Sequence, residues 1–397
     1  MEDRFDVIKA AFARTCLGIL VCFLLVLIAE ANAGDAAEAG KRAQTLLNRV
    51  PSPRRALNLK DIPYKIVYET YRKTGDKYNW ELLMMNADGS EKVNLTNTPD
   101  LDEMYPHVSP DATKISFVVD ESTGRDKIRN VYYKVRSVYY MNIDGADRVK
   151  VARNAREPCW GPDSKKIAYL KGEFERYSTR EYATSELLIY DIETGEHKLH
   201  PNNELEHIYA ICWSPGAKWF LCAVQGNTDY SDTILAFEAD GTKVFDLAKW
   251  GVKGCRPDIS LDGGMLAWGE TDWEMCLGDL DLNSPGGPRV DNAHYLFGCV
   301  REAKIYHFDI SPDGKHLAFS YGPDRGGQQV GGKAKGWNIC IADLNGTWVK
   351  ITTDGNHNKE PDWVPIPSAT RQITPEKETK NSPLERILSH PLVQKDN

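Results

Sequence analysis

Residues able to bind or transform a ligand occur in this chain in two settings. The first is a set of acids, bases and one tyrosine that return at intervals of about fifty residues: Glu103, Arg156, Glu157, His207, Tyr209, Arg256, His307 and Glu360. The second is a group of arginines, Arg129, Arg176 and Arg180, inside polar inserts that also carry tyrosine. The arginine fork recognises carboxylates and phosphates, and tyrosine presents a flat apolar face with a polar tip. Glutamate, arginine and histidine together suit an ionic ligand, a sugar or a cation. The histidines do not stand at metal-ligand spacing, so no metal or cofactor is expected. No Gly-x-Ser-x-Gly elbow is present, and no glycine-rich phosphate loop sits between a strand and a helix.

What must position these residues is a repeat. Six stretches are versions of one another: Pro106-His-Val-Ser-Pro-Asp111, Pro158-Cys-Trp-Gly-Pro-Asp163, Ile211-Cys-Trp-Ser-Pro-Gly216, Pro257-Asp-Ile-Ser-Leu-Asp262, Phe308-Asp-Ile-Ser-Pro-Asp313 and Pro361-Asp-Trp-Val-Pro365. Their third residues, Val108, Trp160, Trp213, Ile259, Ile310 and Trp363, serve as markers spaced 52, 53, 46, 51 and 53 residues apart. A fixed period in this range is the signature of a propeller or an array.

Each later repeat reads as four strands of alternating pattern. In the fifth they are expected near His307–Ser311, His316–Tyr321, Trp337–Asp343 and Trp348–Thr352, with Asp313-Gly314 as a two-residue hairpin turn. That register pairs Ile310 with Leu317 and Phe308 with Phe319. The sixth repeat supplies only one strand, while three unassigned strands stand at the front, near Tyr64–Tyr71, Trp80–Asn86 and Lys92–Thr96. The expected fold is therefore all-β: a six-bladed propeller of four-stranded antiparallel blades, closed by three N-terminal strands plus one C-terminal strand. Closure of this kind leaves no open blade edge at the join.

Ser-Pro-Asp followed by Lys-hydrophobic-Ala-Phe, with Asp-Gly turns and Val-x-Leu-Thr strands, resembles the TolB-type six-bladed propeller repeat over about residues 64–365. The pattern departs from that family at the front, where only about thirty residues occupy the place of an α/β domain. The same repeat type is similar to the propellers of prolyl oligopeptidase-like enzymes and oligogalacturonate lyases.

The remaining segments read as follows. Lys9 and Arg14 precede an apolar run from Cys16 to Ala29, and Ala31-Asn32-Ala33 offers a small-x-small site. This is a secretory signal pattern, predicting cleavage after Ala33 and a periplasmic or secreted protein, with an uncleaved N-terminal membrane anchor as the alternative. Residues 34–63 are expected to form a short helix and linker, 64–365 the propeller, and 366–397 a polar, disordered tail. The net charge of −8 over 397 residues, without a long basic block, argues against nucleic acid as a partner. Seven cysteines follow Ala33. Cys276 and Cys340 occupy a slot filled by leucine or tyrosine in other repeats, so buried free thiols are expected rather than disulfides.

The longest inserts, 120–134, 171–184 and 321–336, all join second and third strands and therefore emerge on one face. Binding residues concentrate on loops held by a rigid scaffold, which points to that face as the working one. The expected function is a non-catalytic exported propeller that binds a protein or peptide, or an envelope polysaccharide, through the long-loop face. The alternative is a sugar-acid (oligouronate) lyase or hydrolase with its site at the channel mouth and His207, His307 or His357 as base.

Overall fold

The computed structural model describes residues 57–126, 131–171, 186–202, 208–224, 233–300, 302–324 and 335–366, with backbone alone at 122–126 and 131–134. The chain separates into two units, Met1–Ala56 and Leu57–Asn397. The first lies outside the described residues, as do the expected signal peptide, the expected helix and residues 367–397.

The second unit holds six four-stranded antiparallel sheets. Blades 1 to 5 each use four consecutive strands and begin with Asp102–Val108, Ala155–Trp160, Ile208–Trp213, Cys255–Ile259 and Ala303–Ile310. Blade 6 opens with the C-terminal strand His357–Val364 and is completed by Lys65–Thr74, Lys77–Asn86 and Val93–Asn94 from the front of the chain. The closure expected from strand counting is thus the observed one. The first strand of each blade packs against the first strand of the next, and His357–Val364 packs against Asp102–Val108, so these strands form a closed inner ring.

The period-2 alternation of each strand places one apolar row in each of the two seams flanking its blade. Six of the core clusters among the described residues fill these seams, one per seam, and Tyr306 with Trp337 forms a seventh. Between blades 4 and 5, Ala267, Met275 and Leu277 meet Phe308, Leu317 and Phe319. Between blades 6 and 1, Val67 and Leu82 meet Ile115 and Phe117. Cys222, Cys276 and Cys340 lie buried in these seams, and all seven cysteines of the described residues are free thiols. Burial pushes the Cys299 thiol up to about 11 and Cys159 to about 12, which makes them packing groups rather than nucleophiles.

Ser-Pro-Asp in blades 1 and 5, and its variants in blades 2 to 4, form the turn after the inner strand. Ser311 Oγ donates to Asp313 Oδ1 at 2.7 Å and accepts the His316 N–H at 2.9 Å, and Ser109 and Ser260 do the same with Asp111 and Asp262. The loop is one of four residues, not the two expected, because the closing backbone bond runs from the Ser311 N–H to the His316 carbonyl. Ile310 pairs with Leu317 as expected. The pairing of Phe308 with Phe319 is lost to a bulge between Tyr306 and Asp309.

Candidate binding site in the propeller bore

That bulge recurs in every inner strand. The register slips between Met104 and His107, Arg156 and Cys159, Tyr209 and Cys212, Cys255 and Asp258, and Tyr306 and Asp309, and opposite Val67 and Glu69 in blade 6. A bulge leaves one residue out of the ladder and re-aims its side chain. Here that residue lies three before the marker: Tyr105, Glu157, Ala210, Arg256, His307 and Glu360, all with φ between 48° and 57°. Residues other than glycine take this left-handed conformation at a cost. Six repetitions show it to be a built feature of the ring. Four of the next residues are proline (Pro106, Pro158, Pro257 and Pro361), which lacks the N–H that the broken ladder would leave unpaired.

Burial follows the same geometry. The residues two before each marker are all buried, while those one before it, His107, Cys159, Cys212, Asp258, Asp309 and Asp362, are all partly exposed. Water therefore reaches two levels of the inner ring, which line a bore.

At the upper level the charged groups meet across blades. His307 Nε2 stands 2.6 Å from Glu360 Oε1 without hydrogen-bond alignment, and His307 Nδ1 is 3.0 Å from Ser320 Oγ. The guanidinium of Arg256 lies 4.7 Å from the Tyr306 ring centre. Glu157 Oε2 accepts the Ala210 N–H at 3.0 Å, and its Oε1 is 3.7 Å from Arg156 Nη1. Beside them Lys359 Nζ and Glu69 Oε1 form a fully buried pair at 3.0 Å, and Glu69 Oε2 accepts the Tyr105 N–H at 2.9 Å. Burial, then the charges of Arg256, Lys359 and His107, hold the His307 imidazole well below its ordinary value, so it is neutral at pH 7. Burial raises the Glu360 carboxyl against the opposing charges of Arg256, Lys359, His107 and Arg136.

The lower level is acidic. Asp258 accepts the Ile310 N–H at 2.7 Å, Asp309 accepts the Trp363 N–H at 2.5 Å, and Asp362 accepts the Val108 N–H at 3.0 Å. Each carboxylate thus staples its blade to the next one's marker. Burial raises the Asp258 carboxyl to about 7, with Asp362 adding repulsion and the Ile310 N–H and His107 opposing it. Asp309 is raised well above its ordinary value by burial and by Asp362 and Asp258. Burial lowers His107, but its contact with Asp362 at 3.1 Å and the charges of Asp362, Glu360 and Glu157 outweigh that and leave it raised. Among the described residues no three His, Cys, Asp or Glu side chains converge closely enough to hold one metal ion.

Of the residues singled out by sequence, Glu157, Arg256, His307 and Glu360 share one level of the bore. Tyr209 and Arg156 precede its bulge residues, Tyr209 half-buried and Arg156 buried at 4% exposure. Glu103 lies apart: it is fully buried, accepts from Thr98, and pairs with Arg148 Nη1 at 2.9 Å, with burial lifting its carboxyl to about 7. Arg129, Arg176, Arg180 and His207 lie outside the described residues. Sequence reasoning passed over His107, Asp258, Asp309 and Asp362. Their signal was present, one position before the marker in four of the six repeats.

No protein-family model matches the chain, and no curated protein matches it. Solved structures do. TolB from Acinetobacter baumannii is 17% identical with a TM-score of 0.57, covering 77% of this chain and 68% of that one. A chain of a nidogen/laminin complex is 11% identical with a TM-score of 0.51, covering 76% of this chain and 98% of its own. An oligogalacturonate lyase in complex with manganese, 14% identical, reaches a TM-score of 0.42 over 68% of this chain and 70% of that one, too loose a match to carry an argument. Identities this low establish the TolB-type six-bladed propeller fold and nothing finer.

Proposed function

We propose that this chain is an exported, non-catalytic propeller that binds a protein or peptide partner through the face on which the inner strands begin. The observation that carries the proposal is the meeting of Glu157, Arg256, His307 and Glu360 at one level of the bore, set by six identical bulges and stapled blade to blade. A rigid, pre-organised set of mixed charges recognises a partner at little entropic cost. Long inserts opening on the same side, with Arg129, Arg176 and Arg180, would extend the contact. Export rests on the signal pattern ahead of Gly34, and among the described residues no helix is long and apolar enough to cross a membrane.

The test is an affinity capture from envelope extract of the native host with the tagged chain as bait. Parallel baits carry R129A/R176A/R180A and H307A/E360A. A partner held by the unaltered chain and lost from either variant supports recognition through this face. Capture of nothing by the unaltered chain overturns it.

One observation favours the alternative of a sugar-acid lyase or hydrolase: His307 and Arg256 take the same bulged slot of adjacent blades, and burial and the Arg256 charge hold the His307 imidazole well below its ordinary value, a base near a carboxylate-binding group. Incubation with oligouronates, followed by the ultraviolet absorbance of the unsaturated product and by reducing-end release, decides it. Turnover that is lost in H307A would replace the binding reading with this one.

A further inference from the structure

Three buried or half-buried arginines of this fold stand beside carboxylates. Arg136 meets Asp120 at 3.1 Å, Arg148 meets Glu103 at 2.9 Å, and Arg156 has Glu157 at 3.7 Å. Arg256 is different. It is partly buried in the bore, yet no carboxylate of the described residues lies within ion-pair reach of it, and its Nε has no hydrogen-bond acceptor. The Cys255 side chain and, at longer range, the Glu360 charge offset its cation, but the Nε–H is withdrawn from water without an acceptor, which is costly. Its position is nonetheless fixed. The guanidinium lies over Tyr306, whose ring stacks on Trp337 at 5.7 Å and 9°. Trp337 is seated in turn against Gly322, where a Cβ would fall 2.3 Å from the indole.

We infer that Arg256 is a recognition point for a single carboxylate on an inserted peptide segment, either a side-chain or a C-terminal one. The inference rests on the binding reading above and names the chemistry of its ligand. The planar fork, held on an aromatic stack and with its Nε lacking an acceptor, matches a carboxylate in shape and charge. Asp258, Asp309 and Asp362 stand two residues further down the inner strands, about 7 Å away at strand rise. Carboxyl groups at that level offer a doubly charged phosphate no second cation except His107, which Asp362 already holds at 3.1 Å. A basic group on the same segment, about 7 Å deeper, would meet those carboxyl groups favourably.

The test uses the full chain with 15N-labelled arginine. The Arg256 Nε–H signal is assigned by its loss in R256K. Three probes are titrated: acetyl-Gly-Asp-Gly-amide, acetyl-Gly-Asn-Gly with a free C-terminus, and acetyl-Gly-Asn-Gly-amide. The expected result is a shift of that signal with a charged probe, bound about ten- to a hundredfold more tightly than the neutral one. Which charged probe binds identifies the carboxylate source. Equal response to all three overturns the assignment, as does a stronger response to digalacturonate than to either peptide. R256Q should lose the discrimination while keeping the single cooperative melt of the unaltered chain. If R256Q does not fold, the three-probe comparison on the unaltered chain still decides. A native partner captured equally by the unaltered chain and R256Q sinks the Arg256 assignment and leaves the binding reading standing, whereas capture by neither sinks both.

Discussion

Replacing Asp258 by asparagine should stabilise the propeller, and increasingly so as pH rises. Asp258 accepts the Ile310 N–H at 2.7 Å, and asparagine keeps an oxygen in that place. What it removes is a charge that burial and Asp362 disfavour, raising the carboxyl from 3.8 to about 7. A carboxyl raised on folding contributes stability that is fully present below its unfolded value and is lost as pH climbs through the folded one. The shift corresponds to at most about 4 kcal/mol, of which about 2–3 kcal/mol is lost between pH 5 and pH 8. For a domain of this size each kcal/mol moves the melting temperature by about 2 °C. D258N should therefore melt about 3 °C above the unaltered chain at pH 5 and about 8 °C above it at pH 8, a widening of about 5 °C, by differential scanning calorimetry. Parallel melting curves across that range would refute the picture of a repulsive acidic floor. A variant less stable at pH 8 would show instead that the charge strengthens the staple to Ile310.

Other perturbations probe the same architecture. K359M leaves Glu69 buried without its cation and should cost about 3–5 kcal/mol in urea unfolding, with K359M/E69L recovering much of the loss. G322A places a methyl against Trp337 and should cost about 1–3 kcal/mol while leaving the other seams intact, read by the same unfolding curves. Deleting residues from His357 onward removes the closing strand and exposes two inner edges, so the cooperative melt should be lost and aggregation should appear in size-exclusion chromatography. Thiol titration of a chain beginning at Gly34 should give seven reactive groups in denaturant without reductant and far slower reaction in the native state, since the described cysteines are free and mostly packed in seams or the bore.

The repeat arithmetic carried the architecture because blade construction is local. Each Ser-Pro-Asp turn is closed by its own serine and aspartate, each strand alternates by its own pattern, and a three-plus-one closure follows once the strands are counted. The same reasoning reached Glu157, Arg256, His307 and Glu360, since residues in one slot of a repeat must occupy one level of the ring. It failed where the outcome depends on a neighbouring blade. Strict alternation would send Phe308 to face Phe319 and gives no reason to notice Asp309. The six bulges break that alternation, and at three of them a ring neighbour supplies the acceptor for the bulged N–H: Glu69 for Tyr105, Glu157 for Ala210 and Ser320 for Glu360. Glu103 shows the converse. By slot it belongs near the channel mouth, yet Thr98 and Arg148 draw it into the protein interior. Sequence alone determined the number of blades, their four-strand make-up and the join between the chain ends, because those depend on patterns within a repeat. Which side chains face the bore, and which charges there go unpaired, was decided only when six repeats closed on one another and brought distant carboxylates and cations within a few ångströms.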